Sequence, residues 1–194
     1  MINRRSFLFS ALVPMFSVQA IAAGDAKAYV QDIGEDVLSL ANGAVRGKPL
    51  RAKFVNLLSR HVNLRTIAGS ALGTFRSKLP PSDKDKFNTL VTTYSAALFV
   101  YYIDKFKGGE FVVDTVVQQG SFTVVKSKIQ NSKVSNQQIV WYLTPKGSGF
   151  QVVDLSILGV RLSVAMRDAF SKELKRSNGN FEGLYAFLAE ADSW

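Results

Sequence analysis

Apolar side chains recur at steps of three and four through the first half of the chain. Val30, Ile33, Val37 and Leu40 form such a stripe, the pattern of a helix with one buried face. The spacing predicts a helix over about Asp25 to Ala41, stopped by Asn42-Gly43. Pro49 opens a second stretch with Leu50, Phe54, Leu57, Leu58 and His61 on one face, followed by Leu64, Ile67, Ala68, Ala71, Leu72 and Phe75. Two short helices broken near Asn63 are expected there. Leu79-Pro80-Pro81-Ser82 ends this region, and Ser82 with Asp85 makes a capping-box-like start, Asp replacing the usual Glu or Gln. The longest helix follows. It carries Phe87, Leu90, Val91, Tyr94, Leu98 and Tyr101 on one face, and Phe99, Tyr102 and Phe106 widen that face near Lys105 before Gly108-Gly109 stops it.

The period then changes. Residues Phe111 to Val117, Phe122 to Gln130, Gln138 to Thr144 and Phe150 to Leu158 are β-branched and aromatic runs separated by turn-forming segments at 119–121, 131–136 and 145–149. They predict an antiparallel meander of four strands, the last of which has apolar side chains on both faces. Leu162, Met166, Phe170 and Leu174 then give an amphipathic helix ending at Asn178-Gly179, and Phe181, Leu184, Phe187 and Leu188 a short final one. Helices, then strands, then helices argue an α+β class, with helices packed on one side of a curved sheet.

The N-terminus reads as an address. Arg4 and Arg5 precede an apolar run from Phe7 to Val18, and Ala20-Ile21-Ala22 suits a signal peptidase. The run contains Pro14 and falls short of the roughly 20 apolar residues that span a membrane. Residues 1–23 are therefore expected to be a cleaved signal, and 24–194 one domain in the bacterial periplasm. Asn3-Arg4-Arg5-Ser6-Phe7-Leu8 resembles a twin-arginine signal, and an ordinary Sec signal reads equally well. The formal charge of +9 becomes +7 when Arg4 and Arg5 leave without any acid, too little in that compartment to argue for nucleic acid.

Composition removes several chemistries. The chain has no cysteine and only one histidine, so thiolate catalysis, disulfides, sulfur-ligated metals and a histidine-rich metal site are not expected. His61 on a predicted helix shows no partner in sequence and reads as a packed or surface residue. Asp32, Glu35 and Asp36 read as solvated charges on the first helix. Asp154 lies in an apolar strand, where a carboxylate must be paired, and an ion pair with Arg161 or Arg167 is expected. Lys126, Lys128, Lys133, Lys146, Lys172, Lys175 and Arg176 read as solvated surface, with attraction to anionic lipid or an acidic partner as the functional alternative.

Several segments resemble the MlaC family of periplasmic phospholipid carriers, also called toluene-tolerance proteins. They are Ile67-Ala68-Gly69-Ser70-Ala71-Leu72-Gly73-Thr74-Phe75-Arg76, the Pro-Ser-Asp segment after it, Phe87 with Tyr94 and Tyr101, and Gly109-Glu110-Phe111-Val112-Val113. Further along are Phe150-Gln151-Val152-Val153-Asp154-Leu155, Leu158-Gly159-Val160-Arg161-Leu162, Arg167, Phe170 and Gly183-Leu184. Each element is short, and their order from about Ala28 to Glu190 carries the likeness. Phe75 stands where the family commonly has Trp, Arg161 where it has a small polar residue, and Asn178-Gly179-Asn180 where it has a glycine-rich turn.

The resemblance implies a nuclear-transport-factor or cystatin-like cone enclosing an apolar pocket, no cofactor and no catalysis. Together with the predicted facing, it implies a lipid pocket lined by Leu72, Leu90, Val91, Tyr94, Leu98, Tyr101 and Tyr102 from the helices and by Val113, Val124, Tyr142 and Val153 from the sheet. It also implies as partners an inner-membrane ABC transporter with a lipid-binding ring and an outer-membrane lipoprotein-porin complex, the carrier itself being a monomer. Three rival readings are a carrier of hopanoid or another apolar lipid, a small-molecule enzyme on a related cone with Asp154 as its acid or base, and a structural adaptor of the envelope whose core is filled with side chains and holds no elongated cavity.

Overall fold

The computed structural model describes residues 22–131, 137–157 and 159–193. The expected signal through residue 21, the turn at 132–136 with its Lys133, and the strand end at Leu158 lie outside the described residues.

The helical stripe of the first segment forms α1 (Ala22–Asn42), which buries Val30, Ile33 and Ala41 while Val37 and Leu40 stay half-buried. The break expected near Asn63 separates α2 (Gly47–His61) from α3 (Leu64–Ala71). Its cause is local: the Asn63 side chain accepts the Thr66 N–H at 3.0 Å and so caps α3, while the Asn63 N–H donates to the Val152 carbonyl at 2.7 Å. Val62 closes α2 with its N–H on the Leu58 carbonyl, and Asn63 directly after it begins α3 and ties the junction to the sheet.

Phe75 does not continue the stripe of α3. Gly73 turns the chain at φ +53, and Gly73–Lys78 is a 3-10 segment. The expected Ser82–Asp85 box is also absent. Ser82 donates instead to Asp83 Oδ1 at 3.0 Å, and a 3-10 turn Pro81–Asp83 leads into α4 (Lys84–Tyr102) without a side-chain cap. Proline in the first turn supplies the helical φ that a cap would otherwise help to set.

Five antiparallel strands follow in sequential order: β1 (Glu110–Gln119), β2 (Phe122–Gln130), β3 (Gln137–Lys146), β4 (Gly149–Ile157) and the two-residue β5 (Val160–Arg161). The sequence pattern gave four; β5 is too short to carry any period. The register shifts between Val113 and Thr115, and again opposite Tyr142/Leu143. Each irregularity changes which alternate residues face the helices. That face presents Phe111, Val113, Val125, Ile129, Ile139, Trp141, Leu143 and Val152, all in one core with buried residues of the helices. Helix α5 (Leu162–Arg176) packs on α3, and α6 (Phe181–Ala189) packs on α4 and α5.

Candidate functional site: an apolar cleft between helix α4 and strand β4

The last turns of α4 bring Ser95, Leu98, Phe99 and Tyr102 to one side, at the i, i+3, i+4, i+7 spacing of a single helical face. The 3-10 turn after it adds Lys105 and Phe106. Leu155 and Ile157, alternate residues of β4, and Leu162 and Met166, one turn apart on α5, close the other side. The space between is about 350 Å³ and opens to solvent. Ser95 adds little polarity because its hydroxyl donates to the Val91 carbonyl at 2.7 Å. Lys105 is the single charged residue in the lining.

A second cavity of about 40 Å³, fully apolar, lies deeper between α1 and the sheet. Phe99, Phe106, Leu155 and Ile157 line both spaces, so the two phenylalanine rings stand as a partition. Phe99 is held from behind by Phe54 of α2, ring centroids 5.5 Å apart and nearly parallel. Gly34 on α1 forms part of the deep wall, where an added Cβ would stand 2.2 Å from the Phe111 ring.

Of the residues expected to line a pocket, Leu98 and Tyr102 lie on the cleft. Leu72, Val91 and Val113 are buried core, and Leu90 packs against that core half-buried. Tyr94 turns to α6, its ring 5.4 Å from that of Phe187. Tyr101 is 69% exposed and meets Tyr102 edge-on. Val124 pairs with Tyr142 and Val125 with Trp141. Trp141 lines the deep cavity, so strand alternation sends Val124 and Tyr142 to the opposite face of the sheet. Val153 is the extra residue where the register shifts and is half-buried outside the lining. The aromatic widening at Phe99, Tyr102 and Phe106 was the sequence signal nearest to the cleft. Leu155, Ile157, Leu162 and Met166 gave none, since each reads equally well as core.

Asp154 takes the structural position expected of it and pairs with Arg161, one of the two arginines expected, and it also bonds Leu155 and Ser163. It is buried on the face away from the cleft, paired in register with Tyr142. Its Oδ1 accepts the N–H groups of Leu155 at 2.9 Å and Ser163 at 3.2 Å, and its Oδ2 accepts the Ser163 hydroxyl at 2.7 Å. Arg161 Nε completes an ion pair at 3.1 Å. Asp154 therefore satisfies an open N–H in the first turn of α5, whose own cap residue supplies no side-chain bond. Arg167 reaches elsewhere, to the Ser70 carbonyl at 3.3 Å. The Arg161 guanidinium also lies 3.9 Å from the Tyr142 ring centre.

His61 stacks at a tilt on Tyr29, whose hydroxyl bonds the His61 carbonyl at 3.2 Å. Burial lowers the imidazole pKa, and Arg60 adds to this. Burial also raises the Tyr29 phenol to about 12. Asp32, Glu35 and Asp36 are exposed, and Asp36 meets Arg60 at 3.7 Å. Among the described residues no cluster of His, Asp and Glu could hold a metal ion, and no helix is long and apolar enough to cross a membrane.

These features define an α+β domain with an apolar cleft open to solvent, around which the described residues assemble no set of acid, base and nucleophile. The chain belongs to the MlaC protein family, whose model matches residues 31–190. A solved phospholipid-binding protein from Ralstonia solanacearum, in complex with a phospholipid, has the same fold at a TM-score of 0.70. It is 20% identical, and the alignment covers 87% of this chain and 97% of that one. No curated protein sequence matches this chain.

Proposed function

We propose that this protein is a non-catalytic carrier that takes up a phospholipid, buries acyl tail in the cleft between α4 and β4, and moves it through the periplasm. The observation that carries the reading is the cleft itself: about 350 Å³ of space walled almost entirely by aliphatic and aromatic side chains. Such a wall is costly to leave wet, and each methylene buried from water contributes about 0.8 kcal/mol. Family membership and the phospholipid complex of the Ralstonia protein support the same ligand class. In this reading the sheet and helices close around the tails as a cone, with the deep cavity behind Phe99 and Phe106 as a continuation of the tail path. Export by the leader at residues 1–23, exchange with an inner-membrane ABC transporter and an outer-membrane lipoprotein-porin complex, and a role in keeping the two outer-membrane leaflets distinct all belong to the proposal. The absence of catalysis is supported by Asp154, the acid an enzyme would have used, which is spent on α5 and faces away from the cleft.

The test is organic extraction of protein purified from its exported form, followed by mass spectrometry. Phospholipid is expected at close to one molecule per chain; protein that yields none would remove the reading. Leu98→Trp and Leu155→Trp are expected to fill tail space and reduce the extracted lipid severalfold in folded protein. Val117→Trp, on the exposed side of β1, serves as the control and is expected to leave it unchanged.

A further inference from the structure

The cleft has a polarity that its apolar walls alone do not explain. Nine of its ten lining residues are uncharged, and the tenth, Lys105, sits on the 3-10 turn directly after α4, exposed to solvent. Its ammonium lies 4.7 Å from the Tyr102 ring centre, a cation over an aromatic face that is itself part of the lining. The neighbouring acid is otherwise engaged: Asp104 pairs with Lys107 at 2.7 Å and approaches Arg46 at 3.8 Å. Among the described residues Lys105 makes no ion pair with a carboxylate. A lysine seated on a ring face turns one N–H toward the ring and leaves the others for an anion, and its solvent exposure beside the lining sets that anion at the edge of the cleft. Exposed apolar side chains lie beside two of the lining residues, Tyr101 at 69% exposure against Tyr102, and Val160 at 56% paired in register with Ile157.

We propose that Lys105, seated on Tyr102, is the phosphate-recognising residue of this cleft, which makes the ligand an amphiphile with an anionic phosphate ester at its head and its tail directed toward Phe99 and Phe106. The proposal rests on the lipid-carrier reading and adds to it a head-to-tail orientation and a preference for phosphorylated over neutral lipids. The shared chemistry is a phosphate oxygen meeting an ammonium, and the test separates a lipid headgroup from free phosphate.

Protein stripped of lipid with detergent, and checked for folding by circular dichroism, is titrated with two soluble ligands of the same tails, dioctanoyl phosphatidic acid and dioctanoyl glycerol. Lys105→Gln is expected to weaken the phosphatidic acid about fivefold, the effect of one well-placed cation. Lys105→Glu should weaken it further, and Lys105→Arg should retain most of the affinity. Dioctanoyl glycerol should bind all four proteins alike. The proposal is overturned if Lys105→Gln and Lys105→Glu bind phosphatidic acid as the wild type does, or if they lose both ligands equally. It is also overturned if inorganic phosphate alone binds with the same dependence on Lys105, which would make this a free-phosphate site. Failure of both lipids to bind wild-type protein would instead bring down the carrier reading, and the proposal with it.

Discussion

Replacing Asp154 by Asn keeps the shape of the side chain and removes its charge, leaving Arg161 half-buried without its ion pair. The amide can still accept at one oxygen, but it cannot serve Leu155, Ser163 and Arg161 as a carboxylate does. Asp154→Asn is expected to cost about 1 to 3 kcal/mol in urea unfolding, with the lipid content of the folded fraction intact. Lost lipid binding at unchanged stability would contradict the structural role. His61 acts in the opposite sense, because its folded state resists protonation. Its pKa lies below the ordinary 6.5, so the unfolded chain takes up a proton before the folded one does. The neutral ring's contribution is complete above 6.5 and is lost as the pH falls through the lowered value. The melting temperature of the wild type should therefore fall more steeply than that of His61→Gln between about pH 7 and pH 5; parallel profiles would exclude His61 as the cause.

At the scale of elements, the approach of α1 to the sheet depends on Gly34. The glycine is buried on α1 against the Phe111 ring, which in turn meets Trp141 edge-on at 6.2 Å. A methyl group there would displace the ring from a wall of the deep cavity. Gly34→Ala gains helix propensity, yet overpacking dominates, and a net loss of about 1 to 3 kcal/mol is expected in thermal or urea unfolding. A stabilised variant would mean that Phe111 yields into the 40 Å³ cavity without strain. The aromatic end of α4 matters in the same way: Phe99, backed by Phe54, and Phe106 separate the open cleft from the deep one. On the proposed carrier reading, how far tail penetrates would be set by these two rings, one of them braced by another helix.

For the whole molecule, a chain of net charge +9, or +7 without residues 1–23, would on the proposed carrier reading have to reach a membrane. Lys172, Lys175 and Arg176 are exposed together on α5. Electrostatic attraction mainly raises encounter rates, and its range falls from about 10 Å at 0.1 M salt to roughly 3 Å at 1 M. Lipid exchange with anionic vesicles is therefore expected to slow severalfold over that range, while the lipid-bound fraction of isolated protein holds constant. Reversing the charge of Lys172, Lys175 and Arg176 should slow exchange at low salt in the same way. Kinetics indifferent to both changes would leave docking to the apolar rim around Tyr101 and Val160.

The helices, the four long strands and their order were legible because each rests on a local period that neighbours along the chain reveal. The break at Asn63 and the need for Asp154 to be paired were legible for a similar reason, since a capping side chain and a buried charge carry their own requirements wherever they fall. The family likeness was legible in the spacing of short segments over most of the chain. The walls of the cleft were legible only in part, at Leu98 and Tyr102. Val124 and Tyr142 share the composition of Val125 and Trp141, and only the strand register and its irregularities decide which pair meets the helices. Leu155, Ile157, Leu162 and Met166 also wall a cavity because the end of α4 stands off from β4 and α5. That gap is a property of how the elements pack, and no pattern along a single element encodes it.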